Sequence, residues 1–197
     1  MKQLTIALFL FIQFQVHAMN PLRLNIINQA NTENRRAIYL TYSADQKATV
    51  WLDKLNQVIQ YGGWNEEQLQ LLSLMKNKIT PYIFIEGSPQ QNDWLKFYDQ
   101  FEVAGITSFT KIVYGKIFVS LHDYSVDMTI TGSDPPSDCG CMVGSNFTCE
   151  WWIPGGTECG KAACVEKPRG CGGVWNQRCD GNCKAAGVSN QQLIKGN

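Results

Sequence analysis

Eight cysteines, Cys139, Cys141, Cys149, Cys159, Cys164, Cys171, Cys179 and Cys183, are all the cysteines of this 197-residue chain, and every one lies in its last third. Cysteines can pair as disulfides, ligate metal as thiolates or act as nucleophiles. The series opens with Cys-x-Cys and continues with gaps of seven, nine, four, six, seven and three residues, among many glycines and prolines. Two four-cysteine zinc sites would use the same residues, but the paired Cys-x2-Cys pattern of such sites is missing, and no metal is expected. Disulfides fit better. The segment has only Val143, Phe147, Trp151, Trp152, Ile153, Val165 and Trp175 as large apolar groups, so bridges adding about 2–4 kcal/mol each would stabilise what a core cannot. Eight cysteines allow roughly a hundred pairings, and spacing does not choose among them.

Trp151-Trp152, beside Ile153-Pro154, form the segment's main apolar patch. A small module cannot easily bury both indoles, so with Trp175 they are candidates for contact with a target or a membrane interface; the alternative is a mini-core. Asn146-Phe147-Thr148 matches a glycosylation sequon, a short pattern that is common by chance.

Conventional catalytic groups are sparse. Beyond the first eighteen residues the chain has one histidine, His122, and no Gly-x-Ser-x-Gly elbow accompanies it. Glu66, Glu67, Asp93 and Asp99 could be offered as paired acids and bases, but they stand where the first turns of helices favour negative charge. His122 reads as a surface residue, and no enzyme and no cofactor are expected.

The elements that position the cysteines begin at the amino end. Lys2, the apolar run Leu4–Phe14 and the small-residue pattern Val16-His17-Ala18 read as a signal peptide over 1–18, without a cysteine for a lipid anchor. A secreted product, extracellular or periplasmic, of about 179 residues follows. Residues 19–128 read as a helical pro-region or carrier domain. Ser43 caps a helix whose apolar residues run from Ala48 to Ile59 before Gly62-Gly63; Asn65 starts a second that closes at Thr80-Pro81. A third spans about Asn92 to Val103 with Gly105 as its stop. Ser108–Leu121 gives a weaker fourth, rich enough in β-branched and aromatic residues that a strand is the alternative. The fold class is therefore a mostly α amino-terminal bundle of three or four helices, followed by a small, loop-dominated, disulfide-rich module over 139–197. Between them, 129–138 is a linker whose Asp134, Pro135, Pro136 and Asp138 mark a candidate processing site. Six basic residues face six acidic ones over 134–197, which argues against nucleic acid as a partner and against simple adsorption to anionic lipid.

Cys139-Gly140-Cys141, Ser145-Asn146-Phe147-Thr148-Cys149, Cys164, Gly170-Cys171-Gly172-Gly173-Val174-Trp175 and Cys179-Asp180-Gly181-Asn182-Cys183 together resemble the C-terminal module of bacteriocin fulvocin C-related proteins. Upstream, Trp51-Leu52-Asp53-Lys54-Leu55 and Asn65-Glu66-Glu67-Gln68 extend the likeness over most of the chain beyond the signal. The resemblance implies a secreted bacterial precursor whose helical region precedes a disulfide-rich antibacterial peptide. It carries the eight cysteines, with Gly170, Gly172, Trp175 and Gly181 as structural companions, and no catalytic residue. Its expected partner is a target on competing bacteria, in the membrane or envelope, with a processing protease. A non-toxic extracellular binding or inhibitor domain on a helical carrier is the second reading.

Overall fold

In the computed structural model, residues 18–30, 32–125, 141–143, 157–161 and 164–185 are described. Capping chemistry sets the helix starts. Helix α1 (Pro21–Ile27) opens with proline at its first turn, after Asn20 has accepted the Leu22 N–H at 2.9 Å. Helix α2 spans Thr32–Thr41. Helix α3 (Ala44–Tyr61) starts at a full capping box: Ser43 Oγ accepts the Gln46 N–H, and the Gln46 side chain accepts the Ser43 N–H. Asn65 and Gln68 repeat the device at α4 (Glu66–Lys78). A 3-10 turn at Pro81–Phe84 leads to α5 (Pro89–Phe109), capped by Ser88, and α6 (Lys111–Phe118) follows after Thr110.

The expectation of three or four helices is corrected to six α-helices among the described residues. The segments α1 and α2 are short, at seven and ten residues, and carry few apolar residues. The fourth segment is a helix rather than a strand. The third begins earlier than expected, at Pro89, and runs through Gly105. That glycine is a contact site, not a stop: a Cβ there would stand 2.5 Å from the Tyr114 ring, so its missing side chain lets α6 lie against α5.

The described part of the carboxyl third forms two small antiparallel ribbons. Strand β1 (Thr157–Gly160) pairs with β4 (Asn182–Ala185), and β2 (Lys167–Cys171) pairs with β3 (Gln177–Cys179). A bridge between Cys141 and Gly181 extends the first. Tyr39, Trp51, Leu55, Val58, Phe101, Tyr114 and Phe118 belong to the buried helical core, and Val174 and Trp175 belong to the same core. The linker at 129–138, expected to separate two units, lies outside the described residues. Beyond it, the β2–β3 hairpin does not pack on itself alone; it is built into the helical core.

No helix among the described residues is long and apolar enough to cross a membrane. The signal segment, except Ala18, lies outside the described residues.

Candidate interaction site

Cys171 and Cys179, fully buried, are joined across the ends of β2 and β3 with a Cα–Cα distance of 5.3 Å. The enclosed loop turns sharply at Gly172, Val174 and Trp175, whose φ values are 65°, 46° and 49°. Positive φ is costly for a β-branched residue and persists only where the surroundings over-determine it. Here two constraints do so: the crosslink below the loop and the helical seat above it. Closing a loop of sequence separation 8 removes about 2–3 kcal/mol of unfolded-chain freedom.

The seat is made of backbone carbonyls and aromatic faces. Trp175 Nε1 donates to the Val119 carbonyl at 2.8 Å. The Trp175 ring meets Tyr39 and Trp51 edge to face, with centroids 5.2 and 6.2 Å apart. Trp51 Nε1 donates to the Tyr39 hydroxyl, and that hydroxyl donates to the Val174 carbonyl, both at 3.2 Å. Burial pushes the Tyr39 phenol above its ordinary range, which keeps it a neutral donor. Asn176 Nδ2 donates to Ile83 O at 2.9 Å, and Arg169 Nη1 donates to Phe84 O, so the carbonyl ends of the Pro81–Phe84 turn are occupied from the hairpin. Tyr98, whose hydroxyl lies against Gly173, shares a 2.6 Å bond with the Tyr114 hydroxyl.

Trp175 was expected at a target or membrane contact, and the structure corrects this. It is 5% exposed and the only polar atom of its side chain is satisfied by the protein, so it anchors the hairpin. Trp151 and Trp152 lie outside the described residues, as do Asp134, Pro135, Pro136 and Asp138, Cys139 and Cys149, and the Asn146 sequon. Cys141 and Cys159 form a second disulfide, and Cys164 is half of another and packs against the Cys171–Cys179 pair. Bonded sulfurs of this kind are not zinc thiolates. Cys183 stands opposite Cys159 in the β1–β4 register. The seat residues Tyr39, Tyr98, Arg169 and Asn176 were not foreseen, since helix faces and turn carbonyls meet here across more than fifty positions of sequence.

A polar cluster at the opposite end of the chain was also not foreseen. Arg23, fully buried, donates from Nη1 to Asp53 Oδ2 at 2.8 Å and from Nη2 to Asp123. Beside it the buried Lys54 ammonium donates to the His122 carbonyl, and burial draws its pKa well down, with Arg23 adding to the effect. Helices α1 and α3 are thereby fastened to residues 122–124. The arrangement is a clamp.

His122 is half-buried, and its pKa lies below the ordinary imidazole value chiefly through burial, then through Arg35 and Lys54. The unfolded chain therefore takes up its proton first as pH falls through about 6.5. The stability this group contributes is complete above that pH and is lost as pH falls toward its folded value. His122→Gln should accordingly flatten the fall in melting temperature between pH 7 and 5; calorimetry giving parallel pH profiles for the two proteins would refute the assignment.

No family model matches this chain, and no curated protein or solved structure matches it either.

Proposed function

We propose that this protein is an exported antibacterial protein of bacteriocin type, with the disulfide-stapled C-terminal segment as its active part and the helical unit as its carrier. The observation that carries the reading is the oxidised state of the cysteines: Cys141–Cys159, Cys171–Cys179 and the bonded Cys164 belong in an oxidising compartment. The resemblance of the cysteine and glycine pattern to bacteriocin fulvocin C-related proteins supplies the antibacterial part of the proposal. A charge-balanced segment is poorly suited to unaided disruption of anionic membranes, so a specific envelope target fits it better than general lysis. Trp151 and Trp152 are the residues proposed to meet that target, and cleavage near Asp134, Pro135, Pro136 and Asp138 is the proposed route of processing.

The second reading, a non-toxic extracellular binding protein, draws on a specific observation: the hairpin is part of the helical core, which suits a protein that acts whole. Growth inhibition separates the two. Oxidised protein, whole and cut at the linker, is applied to a panel of bacteria beside the same material reduced and alkylated. Inhibition confined to oxidised material is expected. If no form inhibits any strain, while the whole oxidised protein forms a defined complex with an extracellular protein, the binding reading replaces the first.

A further inference from the structure

We infer that the helical unit is a receptor for the Cys171–Cys179 loop, and that the two parts remain a non-covalent complex when the chain is cut between them. The seat has the attributes of a binding site for a disulfide-closed peptide loop that presents an indole and an amide at its tip. An aromatic slot formed with Tyr39 and Trp51 receives Trp175. The carbonyls of Val119, Ile83 and Phe84, at the ends of α6 and of the Pro81–Phe84 turn, accept from Trp175, Asn176 and Arg169. Tyr39 donates to the Val174 carbonyl in the other direction. Hot spots of protein complexes have this composition, a buried aromatic anchor ringed by satisfied polar groups. The disulfide closes the loop independently of the helices, so it limits the conformations open to the released loop and lowers the ordering cost of rebinding.

Gly173 gives the seat its fit. A Cβ on it would stand 1.6 Å from the Tyr98 hydroxyl oxygen, and Tyr98 cannot yield easily because its hydroxyl is bonded to Tyr114 and its ring packs against Trp94 and Phe101. The φ of Gly173 is not in the positive range that excludes side chains, so Gly173→Ala disturbs the docking of the loop and not the loop itself. No cysteine precedes Cys139, hence no disulfide can tie the helical unit to the rest. On the antibacterial reading, the helical unit is then the partner that holds the active segment in check, a consequence that rests on that reading while the receptor inference does not.

The test uses the full chain with a protease site placed between Thr129 and Asp138, cut under native, oxidising conditions and passed through size-exclusion chromatography. Both fragments are expected in one peak, at the elution volume of the uncut protein, whereas the cut Gly173→Ala protein separates into two. Asn176→Ala, which removes one seat hydrogen bond and leaves the indole in place, should weaken the cut complex by roughly tenfold. Separation of the cut wild-type fragments overturns the inference without reference to any variant, and so does co-elution of cut Gly173→Ala with undiminished affinity. Fragments that co-elute but never inhibit growth, bound or parted, would sink the antibacterial reading and leave the receptor standing.

Discussion

Trp175→Ala is expected to lower the unfolding free energy of the oxidised protein by about 3–5 kcal/mol, the range for removing a buried tryptophan from a packed interior. Three effects add. The indole leaves a cavity between Tyr39 and Trp51, whose edges lose their partner. The Val119 carbonyl at the end of α6 loses the donor that reaches it at 2.8 Å, and an orphaned buried acceptor costs about 1–3 kcal/mol by itself. The positive φ values at Val174 and Trp175 lose the packing that justifies them, so the loop is free to relax away from the helices. Trp175→Phe keeps most of the ring and lacks the donor, and should recover about half of the loss. Urea unfolding followed by far-ultraviolet circular dichroism measures both. A loss below about 1 kcal/mol for the alanine variant would mean that the indole is not part of the helical core.

What makes this effect large is also what the linear sequence hid. A tryptophan among eight closely spaced cysteines and many glycines reads as belonging to a small stapled module, since local composition is all that spacing reports. Its partners are Tyr39 on α2 and Val119 at the end of α6. The first of these elements was invisible because the apolar residues of α2 are few and bunched together at Ala37, Ile38, Tyr39 and Leu40. By contrast, α3 and α4 were legible to their first residues: Ser43 with Gln46 and Asn65 with Gln68 are local devices, each complete within four positions. Gly62 as a stop followed the same logic and holds, with φ of 78°. Gly105 did not, because its role is set by Tyr114 on another helix. Capping is written locally and read locally; a close approach between helices is written at two places and can be read only when they meet.

The same distinction applies to the cysteines. That they pair was legible from number, spacing and the export signal read at the amino end. Which ones pair was not, because a bridge needs Cα atoms about 4.4–6.8 Å apart and it is the folded hairpin, whose register shifts between Lys167 and Cys171, that holds Cys171 and Cys179 at 5.3 Å. The hairpin depends in turn on the loop that Trp175 anchors. Disulfide, strained turn and helical seat are therefore one cooperative unit, and the antibacterial proposal inherits a condition from it: any active form of the segment must either carry the helical unit along or break this seat.

Asp53→Ala should cost about 3–5 kcal/mol, because it leaves most of a buried positive charge without its compensating carboxylate. Arg23 is fully buried, and Asp53 is itself only 9% exposed, so their 2.8 Å contact is shielded from the solvent that makes surface pairs nearly worthless. The remaining carboxylate, Asp123, is 55% exposed at its side chain, hydrated and therefore a weaker counter-charge. Asp53 also accepts the Asn20 N–H at 3.3 Å, so its loss loosens the start of α1 as well as the guanidinium. Lys54, buried beside the cluster, already suffers from the Arg23 charge and would feel it more strongly. Replacing both members separates the cost of an orphaned charge from the net worth of the pair: Arg23→Met with Asp53→Leu should recover most of the stability lost by Asp53→Ala, since an apolar pair of similar volume has no desolvation cost to repay. Chemical denaturation of the two variants and the parent completes the comparison. If Asp53→Ala proves as stable as the parent, Arg23 is held by Asp123 alone and the clamp between α1 and α3 is not electrostatic. If the apolar pair is instead the least stable of the three, the ion pair contributes net stability here, and the clamp fastens α1 to the body of the protein by its charge rather than in spite of it.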